Sequence, residues 1–315
     1  MIVAENLSKE FDEFIAVDGV NLNVGKGELL ALLGPNGSGK TTTVRMLTSV
    51  LLPTRGSARV AGYDIVTQAS QVRASVGVLT EHHGFYSRMP AIEYLDFFGQ
   101  LYGIEMPDRK MRAEQMLEEF GLAPYKNRRI GNFSRGMQQK LALARTLLHQ
   151  PPVLLLDEPT STMDPESARM VRNAIRALRS SDRTIILCTH NLAEAEELAD
   201  KIAIIRYGEI VAQGTPQTLK QELLGPAEYE VQIGSPQRLD NLRLPNNLEI
   251  ISTGDTWLRF RPSHPEEENA LVLQSLLDQG LMVVSLKEVP RSLEQIYLQV
   301  MNEPEDVEFE VSYVG

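Results

Sequence analysis

Short apolar runs alternate with longer amphipathic segments over the first two thirds of the chain. Five of these runs are apolar at nearly every position: Leu29–Leu33, Val76–Leu79, Val153–Leu156, Ile185–Cys188 and Ile202–Ile205. A strand without a polar face has to be covered on both sides, and the amphipathic segments between the runs supply helices that can cover it. The pattern therefore predicts an α/β core built on a parallel sheet.

Between residues 89 and 150 the pattern changes to a helical period alone. Helices are predicted over Ala91–Tyr102, Arg109–Phe120 and Ser134–His149, and no convincing strand interrupts them. The simplest interpretation is a helical subdomain, at about residues 85–150, inserted into the α/β core.

A breaker pair, Gly225-Pro226, follows the helical pattern from Pro216 to Leu224 and indicates a domain boundary. We expect one domain over residues 1–224 and a small α+β domain over residues 225–315. In the second part the pattern predicts three strands, a helix, a strand and a last helix that begins with a Ser292/Gln295 capping box. The predicted elements are Tyr229–Ile233, Leu248–Ser252, Trp257–Arg261, Glu266–Gln279, Met282–Leu286 and Ser292–Met301. Without clustered catalytic side chains, this part is interpreted as an accessory or dimerisation domain.

Composition agrees with a globular protein of about two domains, since 43% of the 315 residues are hydrophobic and 23% are charged. The formal net charge is −11, and residues 229–315 alone hold 15 acidic and 6 basic side chains. This acidic balance disfavours a nucleic-acid partner, because such a partner requires positive charge.

The single cysteine, Cys188, suits a reducing compartment. The N-terminus lacks a signal-peptide pattern and every apolar run is too short to span a bilayer, so we expect any membrane crossing to belong to another chain.

The first chemical motif is a phosphate-binding loop directly after the Leu29–Leu33 run. The segment Gly34-Pro35-Asn36-Gly37-Ser38-Gly39-Lys40-Thr41 matches the P-loop pattern, and a helical run over Thr42–Leu51 follows it. Glycines let successive backbone N–H groups point at phosphate oxygens, Lys40 adds a positive charge, and the Thr41 hydroxyl is a ligand for Mg²⁺. The whole loop, with Thr42, is predicted to bind a nucleotide.

Two carboxylates, Asp157 and Glu158, end the apolar run Val153–Leu156. The carboxyl ends of strands are where an α/β sheet presents ligands. We expect Asp157 to hold Mg²⁺ and Glu158 to act as the general base toward the attacking water. Alone the pair is a weak signal, and beside a P-loop it is a strong one.

These motifs, in this order, resemble those of the nucleotide-binding subunits of ABC transporters, over about residues 1–223. The most discriminating segment is Asn132–Lys140, which is similar to the family's signature motif, although Arg135 stands where glycine is more usual and Met137 where glutamine is. The resemblance implies a P-loop NTPase core with a helical insertion and an antiparallel β subdomain. It also implies that Ser134, Arg135 and Gly136 contact the nucleotide of the opposite subunit.

Further positions follow from the same resemblance. Asp164, in a segment similar to the D-loop, would lie at the dimer interface, and His190 would reach the γ-phosphate. Phe11, with Val17, would hold the adenine. Glu81 occupies the position of the Q-loop glutamine, where its oxygen would face Mg²⁺ or the attacking water. Glu81 and the following Gly-Phe-Tyr are similar to the pattern of type-2 exporters, including the daunorubicin-resistance and sodium-export types.

The resemblance implies an ATPase that uses ATP and Mg²⁺, pairs with a second copy or a homologous subunit, and powers a membrane-spanning permease from the cytoplasmic face of the membrane. The aromatic stretch after Glu81 would form part of the cleft for that permease. Two alternatives stay open: a soluble ABC-type ATPase acting on ribosomes or nucleic acid, and a nucleotide-binding scaffold that does not hydrolyse ATP. The scaffold is weakened because Lys40, Asp157, Glu158 and His190 are all present.

Overall fold

The computed structural model describes residues 1–12, 14–80, 83–161, 163–179, 183–234, 243–245 and 248–302. By their internal contacts these residues form two compact units, Met1–Pro216 and Gln217–Asn302. This division lies within the helix that precedes Gly225-Pro226. The boundary expected from the sequence at residue 225 remains a prediction.

The first unit contains two sheets. Its strands are β1 (Ile2–Phe11), β2 (Phe14–Val24), β3 (Leu29–Leu33), β4 (Arg55–Val60), β5 (Tyr63–Asp64), β6 (Val76–Leu79), β7 (Val153–Asp157), β8 (Thr184–Thr189), β9 (Lys201–Arg206) and β10 (Glu209–Gly214). An antiparallel sheet has the order β2-β1-β4-β5, and a six-stranded sheet has the order β10-β9-β3-β8-β7-β6. In the six-stranded sheet only β10 pairs antiparallel with its neighbour. The predicted parallel core and the antiparallel β subdomain are both confirmed.

The helices of the first unit are α1 (Lys40–Leu47), α2 (Ala69–Ser75), α3 (Ala91–Leu101), α4 (Asp108–Glu119), α5 (Arg135–Leu147), α6 (Pro165–Arg179) and α7 (Leu192–Leu198), and α8 (Pro216–Leu224) crosses the division between the units. Short 3₁₀ turns at Ala123–Tyr125 and Ile130–Asn132 lie between α4 and α5. Helices therefore occupy the interval in which the sequence predicts them, with ends that differ by one or two residues.

The six-stranded sheet separates two hydrophobic cores, which explains why its strands are apolar at consecutive positions. In β7, Leu154 and Leu156 join the core shared with α3, α4 and α5, whereas Val153 and Leu155 join the core shared with the antiparallel sheet. Because successive side chains of a strand point to opposite faces, both faces are buried only if every position is apolar.

The register of the parallel strands aligns their carboxyl ends. Leu33 of β3 pairs with Thr189 of β8, and Asp157 of β7 pairs with Cys188 of the same strand. The loops that follow β3, β7 and β8 therefore begin at one edge of the sheet, as expected for a ligand site in an α/β fold.

The second unit contains β11 (Tyr229–Ile233), β12 (Glu249–Thr253), β13 (Trp257–Arg261), α9 (Pro265–Asp278), β14 (Val283–Glu288) and α10 (Leu293–Asn302). Its antiparallel sheet has the order β12-β13-β11-β14 and carries a small core around the buried Phe260. The capping box of α10 is present, since the Ser292 N–H donates to Gln295 Oε1 at 3.1 Å and the Gln295 N–H donates to Ser292 Oγ at 3.3 Å.

Candidate functional site

The P-loop joins β3 to α1 and is held by backbone hydrogen bonds at both ends. The Ser38 N–H donates to the Pro35 carbonyl at 3.2 Å, and the Gly208 N–H donates to the Ser38 carbonyl at 3.0 Å. The turn between β9 and β10 thus supports the loop from below. Pro35, Asn36 and Gly37 are exposed, so the rim of the loop is open to a ligand while its base is fixed.

Glycine is required at two positions because of close backbone approach. A Cβ at Gly34 would lie 2.3 Å from the Ile205 carbonyl oxygen, and one at Gly39 would lie 2.7 Å from the Ala16 carbonyl oxygen. Gly39 also has φ of +109°, which L side chains rarely adopt. At Gly34 and Gly39 the neighbouring backbone therefore leaves room for a hydrogen atom but not for a Cβ.

Gly39→Ala is expected to destabilise the protein about 1–3 kcal/mol more than Gly37→Ala. Both glycines have positive φ, but a Cβ at Gly37 meets open space. Both variants therefore carry backbone strain of about 1–3 kcal/mol. Only Gly39→Ala adds the collision with the Ala16 carbonyl oxygen, so the difference between the two unfolding free energies measures that collision. Urea unfolding in the absence of nucleotide measures both variants. Equal unfolding free energies would show that the collision is relieved by a shift of the loop.

Lys40 and Ser38 place polar groups at the base of the P-loop. Lys40 is 6% exposed, and its Nζ donates to the carbonyl oxygens of Gly34 at 2.6 Å and Pro35 at 2.9 Å. The Ser38 hydroxyl is buried, and none of the residues that the structure describes offers it a hydrogen bond. A buried ammonium, an unsatisfied hydroxyl and the open N–H groups at a helix start together fit a phosphate chain.

Oxygen ligands suited to Mg²⁺ lie beside the loop. The Thr41 hydroxyl donates to Asp157 Oδ2 at 3.2 Å, which places one hydroxyl and one carboxylate oxygen together as this cation requires. Within the residues that the structure describes, no group of three or more His, Cys, Asp or Glu side chains could hold a metal ion by itself. The donor set therefore fits a cation that completes its shell with water and phosphate oxygens.

Glu158 and His190 form a pair at the edge of the sheet. His190 Nδ1 lies 2.7 Å from Glu158 Oε1, with the His190 side chain 64% exposed and that of Glu158 13% exposed. Glu158 has φ of +49°, and its N–H donates to the Cys188 carbonyl at 2.8 Å. A non-glycine residue at positive φ is costly and persists where surrounding contacts impose it. Burial raises the pKa of the neighbouring Cys188 thiol well above its ordinary value, so this thiol stays neutral.

Some groups that support the pair are absent from the sequence-based prediction. Glu194 on α7 accepts hydrogen bonds from the hydroxyls of Thr160 and Thr189. Gln139 on α5 donates to the Pro159 carbonyl at 2.7 Å, and its Oε1 lies 2.5 Å from His83 Nε2. Glu194 and Gln139 are polar residues on the apolar faces of their helices. This position is the signal in the sequence by which both residues can be found.

Ser134, Arg135 and Asp164 are exposed, and Gly136 is half-buried. Ser134 caps α5, with its Oγ accepting from the Met137 N–H at 3.3 Å. Asp164 accepts from the Ser167 N–H at 3.0 Å, and the bonds from Ser167 lower the pKa of its carboxyl. A Cβ at Gly136 would lie 3.2 Å from Ser167 Oγ. The starts of α5 and α6 are therefore adjacent and present one continuous surface.

The other residues predicted to hold the nucleotide or Mg²⁺ are Phe11, Val17, Thr42 and Glu81. Phe11 ends β1, is 45% exposed and lies under the Lys9 ammonium at 5.0 Å from the ring centroid. Val17 is fully buried and packs beneath Gly39, so the structure places it under the P-loop. Thr42 is half-buried in the first turn of α1. Glu81 lies outside the described residues.

Comparisons with known proteins match this arrangement. The sequence profile of the ABC transporter family matches residues 17–161. The ABC transporter ATP-binding protein NatA of Bacillus subtilis (strain 168) is 40% identical over 224 residues, which cover 70% of this chain and 91% of NatA. The daunorubicin resistance ATP-binding protein DrrA2 of Streptomyces coeruleorubidus is 34% identical over 304 residues, 94% of each chain. A solved ATP-binding subunit of an ABC transporter has a TM-score of 0.66 at 27% identity and covers 71% of this chain and 94% of its own.

None of the helices in the described part of the chain combines the length and the apolar character needed to cross a membrane.

Proposed function

The chain belongs to the ATP-binding proteins of ABC transporters, which are ATPases, and from this premise we propose that it powers a separate membrane-spanning exporter. The observation that carries the proposal is the convergence of Lys40, Thr41, Asp157, Glu158 and His190 at one edge of the parallel sheet. Phosphate binding, metal binding and a base for water are therefore available within one site.

Lys40, Ser38 and the open loop N–H groups would bind the β- and γ-phosphates of ATP. Lys40 needs only to exchange two uncharged carbonyl partners for phosphate oxygens, which gives a stronger, charge-assisted hydrogen bond. Thr41 and Asp157 would hold Mg²⁺, which neutralises charge that develops on the phosphates. The exposed ring of Phe11 would stack on the adenine.

Glu158 would accept a proton from the water that attacks the γ-phosphorus. A carboxylate within one hydrogen bond of the water suffices for this role. His190, bonded to Glu158 Oε1, would fix the orientation of that carboxylate and reach the γ-phosphate from the exposed side of the pair. Glu81 would complete the ligand set at the position that the family gives to glutamine.

A second copy would complete each nucleotide site. Ser134, Arg135, Gly136 and Asp164 lie on one continuous surface at the starts of α5 and α6. The N-terminus of a helix stabilises an anion through its oriented N–H groups and its dipole. The proposal is that this surface of one copy covers the γ-phosphate held by the P-loop of the other, so that hydrolysis reopens the pair.

The contact with the membrane protein would use the aromatic cluster near α3. Tyr86 is 52% exposed and packs edge to face on Phe97, with ring centroids 5.8 Å apart, whereas Tyr94 is fully buried beneath them. A partly exposed aromatic surface suits a partner helix. Because DrrA2 is named for resistance to a drug, we propose that the partner moves its substrate outward. The chain would then work at the cytoplasmic face of the membrane.

Purification of the tagged chain from detergent-solubilised membranes tests this function. We expect a membrane-spanning protein to co-purify at a fixed ratio and the complex to hydrolyse ATP, while Lys40→Ala forms the same complex without hydrolysis. Recovery with ribosomes or nucleic acid instead would favour the soluble alternative, which none of the relatives named above supports.

A further inference from the structure

Glu194 is a buried acid for which the proposed hydrolytic steps have no use. It is 2% exposed on α7, and its carboxyl accepts from the Thr160 hydroxyl at 2.8 Å and from the Thr189 hydroxyl at 2.9 Å. Burial raises the pKa of this carboxyl above its ordinary value, because the charged form loses its hydration. Burying an acid carries a free-energy cost, so its contacts point to a specific purpose.

One hydroxyl comes from the loop that carries Glu158, and the other comes from the last residue of β8, next to His190. Thr160 follows Glu158 by two residues, and Thr189 directly precedes His190. The Glu158 loop and the end of β8 are therefore joined through the exposed pair of His190 and Glu158 and also through the buried Glu194. The exposed contact is free to open when a ligand enters, whereas the buried contact is shielded from water.

Glu194 also fixes the residue on the other side of His190. Its N–H donates to Asn191 Oδ1 at 3.1 Å, and the Asn191 N–H donates to Thr189 Oγ1 at 3.0 Å. Thr189, Asn191 and Glu194 thus form a closed ring of hydrogen bonds around the backbone of His190. This ring fixes the residues on both sides of His190 and leaves the His190 side chain exposed.

We propose that Glu194 is a positioning residue that holds the loops of Glu158 and His190 in register through the hydroxyls of Thr160 and Thr189. The inference rests on the proposed function, since it assumes that Glu158 and His190 act on ATP. Glu194 contacts neither of them directly in the described hydrogen-bond network. Its effect is therefore exerted on the rate of hydrolysis rather than on the binding of nucleotide.

Glu194→Ala is expected to lower kcat roughly ten- to hundredfold, since small displacements of catalytic groups have effects of this size. The Kd for ATP is expected to stay within about twofold, because Lys40 and the P-loop, which would bind the phosphates, have no contact with Glu194. Glu194→Gln should restore most of kcat, since an amide bonds both hydroxyls with one direction reversed. Glu196→Gln, at an exposed position of the same helix, is the matched control and should match the parent protein.

A double-mutant cycle separates positioning from a general loss of stability. Because Glu194 is proposed to act in part through His190, adding Glu194→Ala to His190→Ala should lower kcat by a smaller factor than Glu194→Ala does in the parent protein. Thr160→Val removes one of the two hydroxyl donors and should also lower kcat. This variant takes the place of Glu194→Ala in the test if Glu194→Ala does not fold. The proposal is overturned if a folded Glu194→Ala or Thr160→Val variant keeps the parental kcat. It is also overturned if the effects of Glu194→Ala and His190→Ala on kcat simply multiply in the double variant. Failure of the proposed function is distinct, because Glu158→Gln itself would then keep its turnover.

Discussion

Glu158→Gln is expected to lower the rate of ATP hydrolysis about 10²–10⁴-fold, the range for loss of a general base, with ATP affinity unchanged. The amide has the shape of the carboxylate and can keep a hydrogen bond to His190, 2.7 Å away, but it cannot take a proton from water. Asp157, Thr41 and the P-loop are untouched, so binding of the nucleotide should be retained.

Steady-state hydrolysis and equilibrium ATP binding, measured on the same preparation, check this result. Glu119→Gln, at an exposed position of α4, makes the same chemical change outside the site and should keep parental turnover. If Glu158→Gln hydrolyses ATP at the parental rate, another residue must activate the water, and the assignment of Glu158 is wrong.

Lys40→Ala is expected to weaken ATP binding roughly thirtyfold or more, since truncating one partner of a buried, charge-assisted contact costs about 2–5 kcal/mol. Lys40 is 6% exposed, and its hydrogen-bond partners within the described residues are two uncharged carbonyls. Its charge is therefore available to phosphate oxygens. Hydrolysis should be lost together with binding.

Isothermal titration calorimetry with ATP and Mg²⁺ measures this loss. Lys110→Ala, which removes an exposed lysine of α4, is the control for a change in net charge and should bind ATP as the parent does. Unchanged affinity in Lys40→Ala would mean that the loop after β3 is not the phosphate site.

The sequence predicts the P-loop and the strand ends well because these features depend on neighbours along the chain. At Gly39 the loop needs φ of +109°, which favours glycine, and the motif supplies that residue. The predicted start of the following helix, at Thr42, is two residues late, since α1 already begins at Lys40. Consecutive apolar positions also predict correctly that both faces of the central sheet are covered.

Tertiary contacts decide what the sequence could not predict. The position of β8 between β3 and β7 brings His190 to Glu158 over a sequence separation of 32 residues, and no local pattern encodes that strand order. Glu194 lies on the apolar face of α7, which is a signal in the sequence, but no local pattern identifies the groups that its carboxyl contacts. Only the packing of α7 shows that its carboxyl is buried between two threonine hydroxyls.

The central claim is that two copies enclose ATP between the P-loop of one and the Ser134 surface of the other. Light scattering of the Glu158→Gln variant tests it most directly, because this variant should hold ATP without cleaving it. With ATP and Mg²⁺, the mass is predicted to rise from the 35.2 kDa of one chain to that of two chains, and Ser134→Glu should prevent the rise without weakening ATP binding. A single-chain mass at saturating ATP would contradict the account.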